Sequence, residues 1–332
     1  NGAGAMQSRG FYEPRFSRAL YWFARLIGDL YLRMFQGVKR VDLLEPKQLY
    51  DAVSRFQRGE TRLLILFRHV SVADGPVVIK SVAQELARWC RSQRLPLHDL
   101  PHVHFLYGRD VLNWAGAQAR LVFPRMGGIP VTNGRVDKQS QSTIRRIIKE
   151  GRFPLAFAPE AQVTYHQFET YDLAGGTATL ASWAHADAIE DDPGGARRVE
   201  ILPLGIGYTY GPRAWSVLED VVTRLRDALG LDRERGHPSS LTEVATLLRE
   251  LTEVLVDQVE QELRVGARHR APGSDEEPTV SLKSRLERVC DEALRTGERT
   301  AGMRVEGTLL ERIFRLRAWI LTSRYREDVD LA

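Results

Sequence analysis

The chain has 332 residues, 43% hydrophobic and 27% charged, and its 47 basic and 43 acidic residues leave a net charge of +4. This composition excludes a wholly disordered chain, and the length exceeds an ordinary single domain. The charge excess is too dilute to imply nucleic acid but suits an anionic membrane surface, and two distant cysteines, Cys90 and Cys290, exclude a disulfide framework and fit a reducing compartment.

In chain order, Asn1 to Ala5 look like an internal start and stand outside the fold reading. A membrane-spanning helix needs about 18 consecutive apolar residues. The nearest stretch, residues 16–35, is interrupted by Arg18, Arg25, Asp29 and Arg33, which form one polar stripe at helical spacing. Such a helix suits a membrane interface, and equally suits packing on the rest of the protein; periodicity does not separate the two. The expected location is cytoplasmic, with peripheral attachment to a membrane.

Thr61–Phe67 (TRLLILF) predicts a buried strand. A helix follows over 77–91, a strand over 103–107, a helix over 112–121, and a short strand with a turn over 127–133. Ile144, Ile147 and Ile148 predict a helix over 138–150 that Gly151 stops, before a strand over 153–158. A helix over 174–188 and a further buried strand over 199–207 complete the pattern. Strands alternating with helices predict an α/β fold with a largely parallel sheet flanked by helices. Helices return over 239–265 and 280–326, separated by a segment of linker composition near 266–279. The expected division is 1–42 for an N-terminal amphipathic segment, 43–235 for the α/β domain and 236–332 for a helical C-terminal extension.

His69 sits at the exit of the first strand, and Asp74 follows five positions later at the start of a helix. Strand ends in α/β sheets open into the crevice where ligands bind. Asp74 near a helix N-terminus is stabilised as a carboxylate, and beside an imidazole it fixes one tautomer and favours the imidazolium. The pair makes a general base able to take a hydroxyl proton, a step that contributes about 10²–10⁴-fold in rate. His-x4-Asp alone is common, and the competing reading is a histidine capping a strand end beside an aspartate capping the next helix.

Further segments change that balance. His69-x-Ser71-x-x-Asp74, Tyr107-Gly108-Arg109-Asp110-Val111-Leu112, Gly128-Ile129-Pro130-Val131, Phe157-Ala158-Pro159-Glu160 and Ile201-Leu202-Pro203-Leu204 occur in that order, the last three on expected strands or at their ends. This series resembles the conserved blocks of the glycerolipid acyltransferase family, which includes the lysophosphatidate acyltransferases. The resemblance covers about residues 60 to 210. It implies that His69 is the general base and Asp74 its orienting partner, and that Glu160 binds or positions the acceptor. It also implies an acyl thioester donor, on coenzyme A or acyl carrier protein, a lipid acceptor, and no metal or other cofactor. Ser71, Arg109, Gly128, Arg135 and His166 join the expected substrate-binding set. Two family arginines that hold an acceptor phosphate are replaced, by Asn133 and Val163, which leaves either an acceptor without that phosphate or one gripped by Arg109, Arg125 or Arg135. The rival readings are a lipid-binding protein without turnover and a thioester or lipid hydrolase using the same pair.

Other clusters read more plainly. His98, Asp99, His102 and His104 read as a polar loop entering a strand, with a metal site the lesser reading. There is no Walker loop and no Gly-x-Ser-x-Gly elbow. Arg145, Arg146, Lys149 and Arg152 read as a solvated helix face, with coenzyme A phosphates or an acidic carrier protein as the lesser alternative. Basic residues interleaved with acids give no nucleic-acid footprint. Residues 309–326 form a basic amphipathic helix that fits a lipid surface or a protein core equally.

Overall fold

The computed structural model describes residues 11–132, 137–169, 173–191, 198–230, 240–263 and 281–324. The described residues fall into two compact units, one running to Gly207 and resuming at Ile320, the other Tyr208–Trp319.

The first unit is built on five strands, β1 Thr61–Phe67, β2 His104–Gly108, β3 Gly128–Val131, β4 Leu155–Phe157 and β5 Arg198–Leu204. All pair in parallel, in the order β3-β2-β4-β1-β5. The register sets Leu64 beside Leu155 on one side and Ile201 on the other. Because β1 is apolar at every position from Leu63 to Phe67, it serves two cores at once. Leu63, Ile65 and Phe67 pack against Leu49 and Val53 of α2 (Pro46–Gln57) and against Val78, Val82 and Leu86. Leu64 faces the opposite layer, formed by Ile144, Ile147 and Ile148 of α7 (Lys138–Glu150) and by Leu180 and Ala184 of α8 (Gly176–Asp191). Each fully buried Leu or Ile contributes about 1.5–3 kcal/mol relative to exposure. The α/β architecture, a parallel sheet between helical layers, is therefore the observed one.

Several elements depart from the sequence expectation. The helix expected over 77–91 starts earlier, as α3 (Asp74–Lys80), widens into a π-helical turn over Ser81–Leu86, and continues as α4 (Ala87–Gln93). The helix expected over 112–121 is two short ones, α5 (Val111–Trp114) and α6 (Ala119–Arg125), because Gly116 between them takes φ +86°. The expected buried strand at 199–207 is an edge strand ending at Leu204, with Ile201 exposed and Pro203 where a missing N–H is tolerated.

The N-terminal helix α1 (Arg18–Phe35) is capped by Ser17 and joined to the α/β core rather than forming a segment of its own. Tyr21 is buried and donates to Pro101 O at 3.1 Å, Gln84 Nε2 in the π turn donates to Arg25 O at 2.9 Å, and buried Lys80 pairs with Asp29 at 2.7 Å. Asp29, and with it part of the polar stripe, therefore meets the protein, while Trp22, Phe23, Leu26, Leu30, Met34 and Phe35 stay exposed.

The second unit is helical: α9 (Ala214–Ala228), α10 (Leu241–Leu263), α11 (Leu282–Ala301) and most of α12 (Leu309–Arg324). Arg285 joins α11 to Glu260 of α10, and Arg312 of α12 forks onto the buried Glu298 of α11 at 2.9 Å through both oxygens. The division falls after Gly207, earlier than the expected 235, because α9 packs with α10. The expected linker at 266–279 lies outside the described residues.

Candidate active site

β1 delivers the chain to the carboxyl edge of the sheet, where Arg68 and His69 leave the strand. The crossover from β1 lies on one face of the sheet and the crossover from β4 on the other. Departing to opposite faces, these neighbouring strands open a crevice at their carboxyl ends. A tight turn follows His69: Asp74 N donates to Ser71 O at 3.1 Å, and Ala73 N to Ser71 Oγ at 3.2 Å. The turn places Asp74 as the first residue of α3, fully buried.

Asp74 Oδ2 accepts from Ser71 N at 2.8 Å and from His69 Nδ1 at 3.0 Å. A carboxylate only accepts, so Nδ1 carries the hydrogen and Nε2 presents its lone pair. No described residue hydrogen-bonds Nε2, and the His69 side chain is 26% exposed. An oriented imidazole with an open Nε2 is the geometry of a general base.

The backbone of His69 is held from both sides by the segment after β4. Glu160 Oε2 accepts from His69 N at 2.7 Å, and Thr164 N donates to His69 O at 2.7 Å. The second Glu160 oxygen takes Arg68 Nε at 3.2 Å, and the same guanidinium reaches the carbonyls of Gln167 (3.2 Å), His166 (3.3 Å) and Glu169. Residues 160–169 thus form a strap fastened to Arg68 and His69. Within it Ala161 (φ +57°) and Tyr165 (φ +55°) occupy the left-handed region, which costs about 1–3 kcal/mol per residue. Strain of that kind persists only where surrounding contacts impose it.

The other expected site residues divide. Glu160 is 1% exposed with both oxygens engaged by protein donors, so it positions His69 rather than offering a free oxygen to an acceptor. Ser71 acts in the turn, through its N–H to Asp74 and its hydroxyl to Ala73. Arg109 directly follows β2, which lies about 10 Å from β1 across two strand spacings. It pairs with Asp137 at 2.6 Å and lies over the Phe11 ring at 5.3 Å. Gly128 opens β3 at the amino end, away from His69, and a Cβ there would meet Phe105 Cζ at 2.8 Å and Phe123 O at 2.9 Å; it is a packing glycine and not part of the crevice. His166 is exposed on the strap and bonds Arg68 through its carbonyl. Arg135 lies outside the described residues. Val72, Tyr165 and Phe168, next to His69 or on the strap, are exposed.

Arg68 and Thr164 were missed by the sequence reading. Arg68 carried a signal, as a cation directly before the motif histidine; Thr164 carried none. His102 and His104 are buried at the amino end of β2, with ring nitrogens on the carbonyls of Met126 (2.9 Å) and Gly127 (3.0 Å). Burial pushes the His102 imidazole down to about 4 and lowers that of His104 as well. Arg145, Lys149 and Arg152 each face a carboxylate, of Asp187, Asp191 and Asp99, and Arg146 faces Glu13. Comparison of the chain with protein-family models, curated proteins and solved structures finds no match.

Proposed function

We propose that the chain is an acyltransferase that moves a fatty acyl group from an acyl thioester to the hydroxyl of a lipid acceptor. The observation that carries this reading is the His69 Nδ1–Asp74 Oδ2 contact at 3.0 Å, with His69 clamped at its N–H and C=O and Nε2 left open. Nε2 takes the acceptor hydroxyl proton as the oxygen attacks the thioester carbonyl. The tetrahedral adduct expels the thiolate, which recovers the proton from the imidazolium. Asp74 stabilises that imidazolium and keeps the ring in register.

The resemblance to glycerolipid acyltransferases supports the substrate class, with acyl-coenzyme A or acyl-acyl carrier protein as donor. Val163 stands where the family pattern has an arginine, which favours an acceptor gripped otherwise than through that side chain. The exposed Val72, Tyr165 and Phe168 give the crevice an apolar rim suited to an acyl chain. No described helix is long and apolar enough to cross a membrane, and a peripheral contact through α1 completes the proposal.

The test is thiol release from long-chain acyl-coenzyme A, with and without lysophosphatidate, glycerol 3-phosphate and neutral lysolipids. Wild type is expected to show acceptor-dependent release. His69→Ala and Asp74→Asn, folded by circular dichroism, are expected to lose about 10²–10⁴-fold. Near-normal turnover in folded His69→Ala refutes the mechanism, and fatty acid formed without acceptor dependence identifies a hydrolase instead.

A further inference from the structure

A cavity of about 570 Å³ lies between α1, α4 and the segment 95–101 that leads into β2, at the opposite end of the sheet from His69. Arg18, Arg25 and Arg91 line it, and among the described residues none of the three has a carboxylate within ion-pair distance. Elsewhere in this unit Arg55, Arg62 and Arg145 face Glu200, Asp191 and Asp187. The one acid on the cavity wall, Asp99, is already gripped by Arg152 through both oxygens. Arg25 is held in place, stacked over Trp22 at 4.8 Å and donating to Tyr21 Oη at 3.2 Å. Three cations around a concavity whose acid is already neutralised make a seat for an anion, and guanidinium forks match phosphate oxygens in pairs. Leu95, Leu97 and Pro101 supply apolar wall between them.

The flank of this cavity indicates which phosphate. Trp22, itself on the wall, begins a row in which Leu26, Leu30 and Met34 follow at intervals of four along α1. These four are 53%, 81%, 61% and 71% exposed. A row of large apolar side chains facing outward is matched by acyl chains, and a tryptophan at its end sits naturally at headgroup level. A free phosphate would use the arginines but leave the row without a partner.

We propose that this cavity binds the phosphate of an anionic phospholipid headgroup while the Trp22–Leu26–Leu30–Met34 row enters the bilayer surface. The assignment rests on the surface contact proposed above and not on the transfer chemistry. It makes α1 a selective contact, one that distinguishes anionic from neutral lipid.

The experiment is co-sedimentation of the full chain with vesicles of phosphatidylcholine alone and of phosphatidylcholine mixed with phosphatidylglycerol. Wild type is expected to prefer the anionic vesicles. Arg18→Gln/Arg25→Gln/Arg91→Gln, folded by circular dichroism, is expected to lose about a hundredfold on anionic vesicles, since each basic residue at such a surface contributes about fivefold, and to keep its neutral binding. Leu26→Glu/Leu30→Glu is expected to lose binding to both. A triple variant with wild-type preference, or a Leu26→Glu/Leu30→Glu variant with unchanged binding, overturns the proposal. Release of the protein from vesicles by millimolar inorganic phosphate at constant ionic strength overturns the lipid assignment in favour of a soluble phosphate ligand. His69→Ala is expected to bind vesicles as wild type does, so failure of this proposal and failure of the transferase reading are separable.

Discussion

His102 makes the stability of the first unit depend on pH in a way that can be isolated. Its ring is enclosed by Phe16, Tyr21 and Phe153, at centroid distances of 5.1, 5.4 and 5.1 Å, and burial lowers its pKa from 6.5 to about 4. The folded state therefore holds a neutral imidazole where the unfolded chain binds a proton. As pH falls through 6.5 the unfolded state gains a proton that the native state refuses, so stability present above 6.5 is lost progressively down to about 4. At 1.36 kcal/mol per pH unit, a depression from 6.5 to about 4 amounts to about 3 kcal/mol. His102→Gln keeps a nitrogen donor for Met126 O, which Nε2 now reaches at 2.9 Å, and removes the titration. The assay is urea unfolding followed by tryptophan fluorescence from pH 7.5 down to 4.5, on wild type and variant side by side. The gap between them is expected to move by about 2–3 kcal/mol in favour of the variant as pH falls. Contributions from carboxylates such as Asp99, whose bond to Arg152 lowers its pKa, cancel in the comparison, while the nearby His104 adds a small part to the His102 depression that the variant also removes. Parallel curves, within about 0.5 kcal/mol at every pH, would refute the burial argument.

Two further outcomes follow from the site and its sheet. Arg68→Lys keeps a cation near Glu160 but loses the fork that reaches the carbonyls of His166, Gln167 and Glu169. It is expected to free the strap, read as faster proteolysis within 160–169 and a drop in turnover with stability little changed; a strap as resistant as wild type contradicts the role given to Arg68. Gly128→Ala places a methyl against Phe105 and the backbone of Phe123 and is expected to destabilise by about 1–3 kcal/mol without altering a site three strands away. Loss of activity with unchanged stability would return Gly128 to the crevice.

The legible parts of this chain are those that rest on local pattern. β1 is found at its observed bounds because an apolar run without helical period has few other homes, and α7 because three isoleucines and Gly151 mark its face and its end. His69 and Asp74 are legible because one turn joins them. α2 and α9 escaped notice although both carry the signal: Pro46 opens α2 and Leu49, Ala52 and Val53 share its buried face, while Leu218, Val222 and Leu225 recur at helical spacing in α9. The clamp on His69 joins residues 91 and 95 positions apart, a pairing that only the sheet order creates, with β4 inserted between β1 and β2. Gly128 shows the opposite failure, where a motif position was read as chemistry and the tight seat beside Phe105 makes it packing.

The π-helical turn at Ser81–Leu86 separates two demands on what would otherwise be one rigid rod. Upstream, α3 must present Asp74 to His69; downstream, Leu86 and Cys90 must meet the core. A π turn holds one residue more than the α-helix it interrupts, so it absorbs a phase difference between the two ends. Removing one residue between 81 and 86 would close the turn to an ordinary α-helix and leave both ends in phase, whereas removing a second would rotate α3 by about 100° relative to the downstream half and carry the carboxylate off its imidazole. The segment therefore holds one residue to spare, and a deletion beyond that one would silence the dyad while leaving every one of its side chains in the sequence.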